Sequence, residues 1–261
     1  MDLALQEKIA IVGGASQGIG FAIARLLALE GAHVAIVARR KDALDDAARR
    51  ISIDTGRPVI TVAADIRRAE DCTRIVDTVI GECGRVDILV NNDGAPPLGL
   101  LEEFDDTAWD KAVQQNLMSV VRLSRLVIPG MRERRFGRIV NITALSTLQP
   151  IARFGLSVST WAGVIGFAKT LSLETATDRI TVNTICPGRI ATGRLAKVFG
   201  TNASVQDDAE MLARITREIP MGRIGDPDEI AGLVAFLASG FAGYITGSTF
   251  HVDGGRRASL L

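Results

Sequence analysis

Short runs of apolar, largely β-branched residues alternate along the chain with longer stretches of helical periodicity. Seven of these runs predict strands, at 8–12, 33–38, 59–63, 87–91, 138–142, 180–185 and 248–252. The runs are apolar at consecutive positions, which is typical of parallel strands covered by helices on both faces. The pattern therefore predicts an α/β fold built on a Rossmann-type, doubly wound parallel sheet.

The periodicity between these runs predicts helices at 18–30, 40–52, 69–80, 107–132 and 156–175. Gly31, Gly56 and Gly81 mark the expected ends of the first three helices, because glycine favours the conformation that terminates a helix. No Pro/Ser-rich linker divides the chain, so residues 1–261 are expected to form a single domain. Residues 189–220 are irregular and follow the sixth strand, which predicts a substrate-loop insertion there.

Composition narrows the classes of function. The 30 basic and 30 acidic residues give a formal net charge of zero, which argues against nucleic acid and anionic membrane surfaces as partners. Three cysteines and two histidines lack metal-ligand spacing, so neither a metal site nor a disulfide framework is expected. No apolar run approaches the ~20 residues that span a bilayer. We expect a cytoplasmic protein without membrane association.

A glycine-rich turn follows the first predicted strand and opens the first predicted helix. Its sequence is Gly13-Gly14-Ala15-Ser16-Gln17-Gly18-Ile19-Gly20. Glycines allow the backbone to approach a pyrophosphate closely, and the helix start attracts the anion. The order of strand, turn, helix and second strand predicts a dinucleotide site. The alternative is a tight turn that binds nothing.

The second predicted strand ends at Ala38-Arg39-Arg40, where NAD-binding folds usually place a carboxylate for the ribose hydroxyls. A guanidinium instead suits a 2′-phosphate, so Arg39 favours NADP over NAD as the cofactor. The alternative is that both arginines are a solvated helix start.

Further motifs follow in order along the chain. They are Asp65-Ile66 after the third strand, Asn91-Asn92-Asp93-Gly94 after the fourth, Asn116 in a helix, and Pro187-Gly188 with Thr192 after the sixth. In this order the chain resembles the short-chain dehydrogenase/reductase family over essentially its whole length. Two positions depart from the family's motifs: Gly13 replaces a Thr and Asp93 replaces an Ala.

The resemblance implies which residues hold the cofactor. They are Gly14, Ser16, Gln17, Gly18, Ile19, Gly20, Arg39, Asp65, Ile66, Asn91, Gly94, Pro187, Gly188 and Thr192. By the same resemblance, Asp65 contacts adenine, Thr192 belongs to the turn that holds the nicotinamide amide, and Asn116 organises a proton-relay water.

The positions of the family's catalytic Ser, Tyr and Lys do not match. Without gaps they fall on Ala144, Ser157 and Trp161, and residues 143–165 contain neither Tyr nor Lys. A Ser hydroxyl is a far weaker acid than a phenol, and an indole carries no charge. The chain therefore resembles an atypical family member with a degenerate catalytic centre.

Four residues are candidates to replace the missing groups: Asn116, Ser157, Asp93 and Thr143. Asp93 is a possible acid or base if burial raises its pKa, and the alternative is a loop cap. Thr143 and Ser146 offer hydroxyls, although such residues commonly satisfy nearby backbone groups. Arg153 and Arg189 are candidates to bind an anionic substrate or a phosphate.

Three functions follow from these observations. The first is an NADP-dependent oxidoreductase acting on a carbonyl or alcohol, similar to 3-oxoacyl reductases. The second is a non-redox lyase or dehydratase on the same scaffold, and the third is a nucleotide-binding regulatory protein without chemistry. The family resemblance implies a homodimer or homotetramer formed through the helices at 107–132 and 156–175. A small, largely apolar substrate is expected from the side chains that the insertion offers, which are Phe199, Met211, Leu212 and Ile215.

Overall fold

The computed structural model describes residues 2–94, 96–200 and 208–259. Within these residues, the strands are β1 (Ile9–Gly13), β2 (His33–Ala38), β3 (Val59–Ala63), β4 (Ile88–Asn91), β5 (Gly137–Ile142), β6 (Ile180–Pro187) and β7 (Thr249–Val252). They form one parallel sheet in the order β3-β2-β1-β4-β5-β6-β7. The predicted α/β fold with a doubly wound parallel sheet is confirmed.

The α-helices of the same residues surround this sheet. They are α1 (Gly18–Leu29), α2 (Lys41–Thr55), α3 (Ala69–Cys83), α4 (Asp106–Val113), α5 (Ser119–Glu133), α6 (Gly155–Thr175), α7 (Gly193–Val198), α8 (Ala209–Thr216) and α9 (Pro227–Ala238). Helices α1, α2 and α9 pack on one face of the sheet, and α3, α5 and α6 pack on the other. The consecutive positions of β1, β4, β5 and β6 are thus buried on both sides, whereas the edge strands β3 and β7 are only partly covered.

Two helix predictions were wrong in detail. Helix α3 runs through Gly81 and ends before Gly84, whose φ of +77° is the left-handed conformation that stops a helix. The predicted helix at 107–132 is α4 and α5 joined by a π-helical turn, Gln114–Met118. Such turns insert a residue into a helix and occur frequently at functional sites. Asn116 lies in this turn.

The strand order places a topological switch point beside β1. From β1 the chain continues to β2 on one side of the sheet, whereas β4 pairs with β1 on the other. Loops that leave the carboxyl ends of β1 and β4 therefore diverge, and the crevice between them is the usual ligand site in such sheets.

Two further observations concern the described residues as a set. No helix among them combines the length and apolar character that crossing a membrane requires. No group of three or more His, Cys, Asp or Glu side chains among them is placed to hold a metal ion.

Candidate functional site

A cleft of about 1270 Å³ opens at the carboxyl ends of the strands. Its walls include residues that follow each of the seven described strands, among them Gly14, Arg39, Asn92, Thr143 and Gly188. Pockets for drug-sized ligands occupy roughly 300–1,000 Å³. The cleft therefore has room for a dinucleotide together with a small second molecule.

The glycine-rich turn packs tightly against the loop that follows β4. An added Cβ at Gly14 would lie 2.5 Å from the Asn92 carbonyl oxygen, and one at Gly20 would lie 2.5 Å from the Gly14 carbonyl oxygen. Gly14 and Gly18 also have φ angles of +57° and +59°, which side chains rarely adopt. Only glycine fits these positions without a shift of the backbone.

The start of α1 faces this cleft. Ser16, Gln17, Gly18 and Ile19 line it, and the side chain of Gln17, the N-cap residue, makes no capping hydrogen bond. The N–H groups at the start of a helix lack partners within the helix and carry the positive end of its dipole. The turn and helix start thus have the features of a phosphate site.

The end of the cleft beyond β2 and β3 carries a free guanidinium. Arg39 is exposed, lines the cleft and forms no ion pair within the described residues. The Nε of Arg67 donates to both carboxylate oxygens of Asp65, at 2.9 and 3.0 Å, and lowers the pKa of Asp65. Ile66 lines the same wall. Arg39 is consequently available to an anionic ligand, whereas the Asp65 carboxylate is already paired.

The motif after β4 divides between the sheet and the cleft. Asn91 is buried in β4, where its Nδ2 donates to Oδ1 of Asn141 at 2.8 Å, and it does not line the cleft. Asn92 and Gly94 do line it, and the Nδ2 of Asn92 donates to the Gly13 carbonyl oxygen at 3.0 Å. The role of Asn91 in cofactor binding stays a prediction. In the structure its side chain links β4 to β5.

The turn after β6 forms the opposite wall. Pro187, Gly188 and Thr192 line the cleft. An added Cβ at Gly188 would lie 2.7 Å from the Cα of Asp253, so β7 and this turn approach too closely for a side chain. The γ-methyl of Thr192 lies against the glycine-rich turn, 3.3 Å from where a Cβ of Gly18 would be.

Asp93 lines the cleft beside these turns. Its Oδ2 accepts a hydrogen bond from Oγ of Ser119 at 3.2 Å. Desolvation raises the pKa of the Asp93 carboxyl to about 7, against the opposing effects of the Ser119 hydrogen bond and the positive charge of Arg39. A carboxyl with this pKa exchanges protons near neutral pH.

Asn116 contacts α6, the helix that carries Ser157. The Nδ2 of Asn116 donates to Oγ1 of Thr160 at 2.8 Å, and Thr160 Oγ1 donates to the Leu156 carbonyl oxygen. Asn116 is buried behind the cleft wall, whereas Ser157 lines the cleft. The Ser157 Oγ is buried and has no hydrogen-bond partner within the described residues. An unpaired buried hydroxyl is costly, which suits a group that meets a ligand.

The two hydroxyls that flank Ala144 differ. Oγ1 of Thr143 contacts the Ile185 carbonyl oxygen at 3.3 Å and Sγ of Cys186 at 3.1 Å. Oγ of Ser146 is buried without a partner within the described chain, and Ser146 lines the cleft. Both residues line the cleft, but only the Thr143 hydroxyl already has hydrogen-bond partners within the described chain.

Trp161 occupies the cleft wall as an apolar group. It is buried, and it packs with Val120, Val164 and the partly buried Ala144. The one tyrosine of the chain, Tyr244, is fully exposed and does not line the cleft. Among the described residues that line the cleft there is no phenol, and the one ammonium group is that of Lys197 on α7.

The predicted substrate insertion, 189–220, contains α7 and α8, and its residues 201–207 lie outside the described residues. Phe199 lines the cleft. Met211, Leu212 and Ile215 do not line it, and they pack in a small apolar cluster with Leu195 and Phe199, which do line the cleft. The apolar side chains of the insertion are therefore divided between the cleft wall and the interior of the insertion.

Sequence reasoning missed several cations that line the cleft. Arg194, Lys197 and Arg256 lie there together with Arg189, which was a candidate. Arg153, the other candidate, is exposed in a loop and does not line the cleft. Arg194 lies two residues after Thr192, and this spacing was the available signal. Arg256 follows β7, far from the others in sequence, and only the fold brings it to the cleft.

Comparison with known proteins identifies the family. Residues 14–257 match the family described as Enoyl-(Acyl carrier protein) reductase. The 3-oxoacyl-[acyl-carrier-protein] reductase of Vibrio harveyi is 39% identical over 251 residues, covering 96% of this chain and 98% of that protein. The acetoacetyl-CoA reductase of Shinella zoogloeoides is 36% identical over 250 residues, with 96% and 98% covered.

A solved structure gives the same result. L-sorbose reductase from Gluconobacter frateurii, solved in complex with NADPH and L-sorbose, superposes with a TM-score of 0.92 at 35% identity, and all of both chains is covered. Full-length similarity in sequence and fold, together with the cleft at the switch point, shows that this chain belongs to the short-chain dehydrogenase/reductase family.

Proposed function

We propose that the protein is an NADP-dependent oxidoreductase that interconverts a carbonyl and an alcohol on a small substrate, in the manner of 3-oxoacyl reductases. The observation that carries the proposal is the cleft formed by the glycine-rich turn and Arg39 in a chain that matches reductases over its full length. The two relatives above are named as reductases of 3-oxoacyl thioesters. The similar solved structure is a reductase with NADPH bound.

The residues present fit a dinucleotide. The glycine-rich turn leaves no space for a Cβ at Gly14 or Gly20, as expected of a backbone cradle that approaches phosphates. Gly14, Ser16, Gln17, Gly18 and Ile19 would hold the diphosphate, with Gly20 supporting the turn from behind. Pro187, Gly188 and Thr192 would hold the nicotinamide end, together with Gly94.

NADP is preferred over NAD in this proposal. The free guanidinium of Arg39 at the end of β2 would pair with the 2′-phosphate. Asp65 and Ile66 would line the adenine site, with the Asp65 carboxylate held in place by Arg67.

The catalytic centre is proposed to be degenerate, with Ala144, Ser157 and Trp161 at the positions where the family carries Ser, Tyr and Lys. Bound NADPH would supply a hydride to the carbonyl carbon, so the protein must deliver one proton to the carbonyl oxygen. Asp93 is the proposed proton donor, because its pKa of about 7 leaves a substantial protonated fraction at neutral pH. Ser157 would donate a hydrogen bond to the same oxygen.

Asn116 and Thr143 take supporting roles in this proposal. Asn116 would keep α6 and Ser157 in place through Thr160, rather than contact the substrate. Thr143 would fix the end of β5 through the Ile185 carbonyl oxygen.

NADPH titration and turnover test the proposal. Trp161 lines the cleft, so NADPH binding is expected to change the tryptophan fluorescence, and acetoacetyl-CoA is expected to cause consumption of NADPH. Failure to bind NADPH or NADH at millimolar concentration would exclude an oxidoreductase. Binding without consumption across a panel of ketones would favour a regulatory protein. Conversion of a substrate at constant cofactor redox state, lost in Asp93→Asn, would favour a lyase or dehydratase.

A further inference from the structure

One end of the cleft holds an excess of positive charge. Arg189, Arg194, Lys197 and Arg256 line it where the chain leaves β6 and β7. The acidic residues among the described lining are Asp65 and Asp93, which follow β3 and β4. The cations beside β6 and β7 therefore lack an acidic partner on the cleft wall.

Two of these cations share one carboxylate from outside the cleft. Arg189 and Arg256 both donate to Oε2 of Glu218 at 2.8 Å, and Glu218 is exposed and does not line the cleft. The side chains of Arg189 and Arg256 are 16% and 12% exposed and share the single negative charge of Glu218, while Arg189 also donates to the Ile215 carbonyl oxygen at 2.6 Å and lies over the Phe199 ring. Desolvation and the charge of Arg256 lower the pKa of Arg189.

Arg194 has no carboxylate partner within the described residues. Its Nη2 donates to the carbonyl oxygen of Pro96 at 3.2 Å, and so reaches across to the loop that follows β4. It is partly buried, and desolvation lowers its pKa. A guanidinium held out of water next to a neutral acceptor is incompletely compensated, which an anionic ligand would correct.

The proposed cofactor leaves these cations available. Its diphosphate would lie at the glycine-rich turn and its 2′-phosphate at Arg39, both toward β1 and β2. Of the apolar side chains predicted to line the substrate site, Phe199 lines the cleft, whereas Met211, Leu212 and Ile215 pack in an apolar cluster and do not line it. The surface left for the substrate combines these cations with apolar side chains, among them Phe154, Leu195 and Phe199, and with the Ser146 hydroxyl.

We infer that Arg194, supported by Arg189 and Arg256, binds an oxyanion of the substrate, so that the substrate is a carbonyl compound bearing a carboxylate or phosphate group. This inference rests on the proposed function for the identity of the reacting group. The anion site itself rests on the charges and contacts of the cleft. The planar guanidinium of Arg194 suits either oxyanion.

Three matched probes test it: 4-oxopentanoate, 3-oxobutyl phosphate and the neutral 4-oxopentanamide. Each is titrated by calorimetry into the protein saturated with NADP⁺, so that binding is measured without turnover. We expect at least one anionic probe to bind about tenfold more tightly than the amide, as a charge-assisted hydrogen bond provides. The better anion identifies the oxyanion. Equal affinities, or no binding of either anion at about 10 mM, would overturn the inference.

Variants separate the site from general electrostatics. Arg194→Gln keeps an amide donor for the Pro96 carbonyl oxygen and is expected to abolish the preference for the anion. Arg217→Gln, on the same segment but exposed and away from the cleft lining, is expected to leave it unchanged. If Arg194→Gln weakened NADPH binding as much as it weakened binding of the anionic probe, the guanidinium would be assigned to the cofactor diphosphate and the inference would be overturned.

The two proposals fail separately in these experiments. Anion-selective binding without NADPH consumption would support the anion site at Arg194 and contradict the proposed oxidoreductase activity. NADPH consumption that is as efficient with 4-oxopentanamide as with the anionic probes would support the oxidoreductase activity and contradict the anion site.

Discussion

The hydroxyl of Ser119 donates a hydrogen bond to the carboxylate of Asp93 across 3.2 Å, and links the start of α5 to the loop after β4. This bond favours the ionised carboxylate, whereas desolvation favours the neutral form and outweighs it. The balance places the pKa of Asp93 near the pH at which a general acid works best.

The first prediction concerns the pH dependence of reduction. Because the protonated carboxyl is the proposed donor, the rate of NADPH consumption is expected to fall as the pH rises through about 7. Asp93→Asn is expected to lower the rate by about 10²–10⁴-fold and to remove this pH dependence. Ser119→Ala removes a bond that lowers the pKa, so its profile should move to higher pH. An unchanged rate and profile in Asp93→Asn would exclude Asp93 as the donor.

The same carboxyl affects stability. A folded-state pKa above the ordinary value of 3.8 means that the folded protein binds this proton more tightly than the unfolded chain. The contribution of this bound proton to the free energy of unfolding is fully present below pH 3.8 and is lost as the pH rises through about 7. Asp93→Asn is therefore expected to raise the free energy of unfolding at pH 8, by on the order of a few kcal/mol, and much less at pH 4. Urea unfolding at both pH values measures the difference, and a larger gain at pH 4 would contradict the assignment.

The cofactor preference depends on Arg39. Arg39→Ala is expected to weaken NADPH binding by about 10–100-fold, the effect of losing a charge-assisted hydrogen bond, and to leave NADH binding nearly unchanged. Arg49→Ala serves as the control, since Arg49 is exposed on α2 and pairs with Asp46 away from the cleft. Equal losses for the two cofactors would refute the assignment of Arg39 to the 2′-phosphate.

The glycine-rich turn is expected to tolerate no side chain. Gly14→Ala places a Cβ 2.5 Å from a backbone oxygen at a positive φ, so it should destabilise the fold or abolish NADPH binding. Gly81→Ala is the matched control, because no atom lies within 4 Å of its added Cβ and it lies inside α3. That change should stabilise the protein by roughly 0.5–1 kcal/mol. Thermal unfolding and fluorescence titration check both, and full NADPH affinity in Gly14→Ala would show that the turn can relax.

Introducing a lysine at position 161 is expected to fail. Trp161 packs with Val120 and Val164, so Trp161→Lys loses this packing and places a charge against apolar side chains. We expect a loss of about 3 kcal/mol or more in the free energy of unfolding, and a smaller loss for Trp161→Phe. Denaturant unfolding of the two variants measures this difference. A stable Trp161→Lys variant with increased NADPH consumption would show that the wall can accept an ammonium group.

Local patterns in the sequence were sufficient for the sheet. The runs at 33–38 and 59–63 coincide with β2 and β3, because parallel strands covered by helices are largely apolar at consecutive positions. Strand β2 is buried at its centre, whereas β3, at the edge of the sheet, is fully buried only at Val62. The same reasoning could not find the π-helical turn at Asn116, since a continuous apolar periodicity does not reveal one inserted residue. It also assigned Gly81 as a helix end, although an exposed glycine is tolerated within α3.

The site was predictable where it follows the chain order and not where distant segments meet. The glycine-rich turn and Arg39 are local to β1, α1 and β2, and the structure brings them to one cleft. The pKa of Asp93 depends on burial beneath neighbouring elements, which no local pattern encodes. Arg189 and Arg256 both pair with Glu218, although these two arginines are more than 60 residues apart in the sequence.

The exposure of Tyr244 makes the protein unusually easy to label. A reagent specific for phenols would modify one side chain per protein chain, at a surface position that does not line the cleft. A dye or spin probe attached there would report rotation and self-association without blocking ligand entry. The oligomeric state, which the family resemblance leaves between dimer and tetramer, thereby becomes measurable on a uniformly tagged protein.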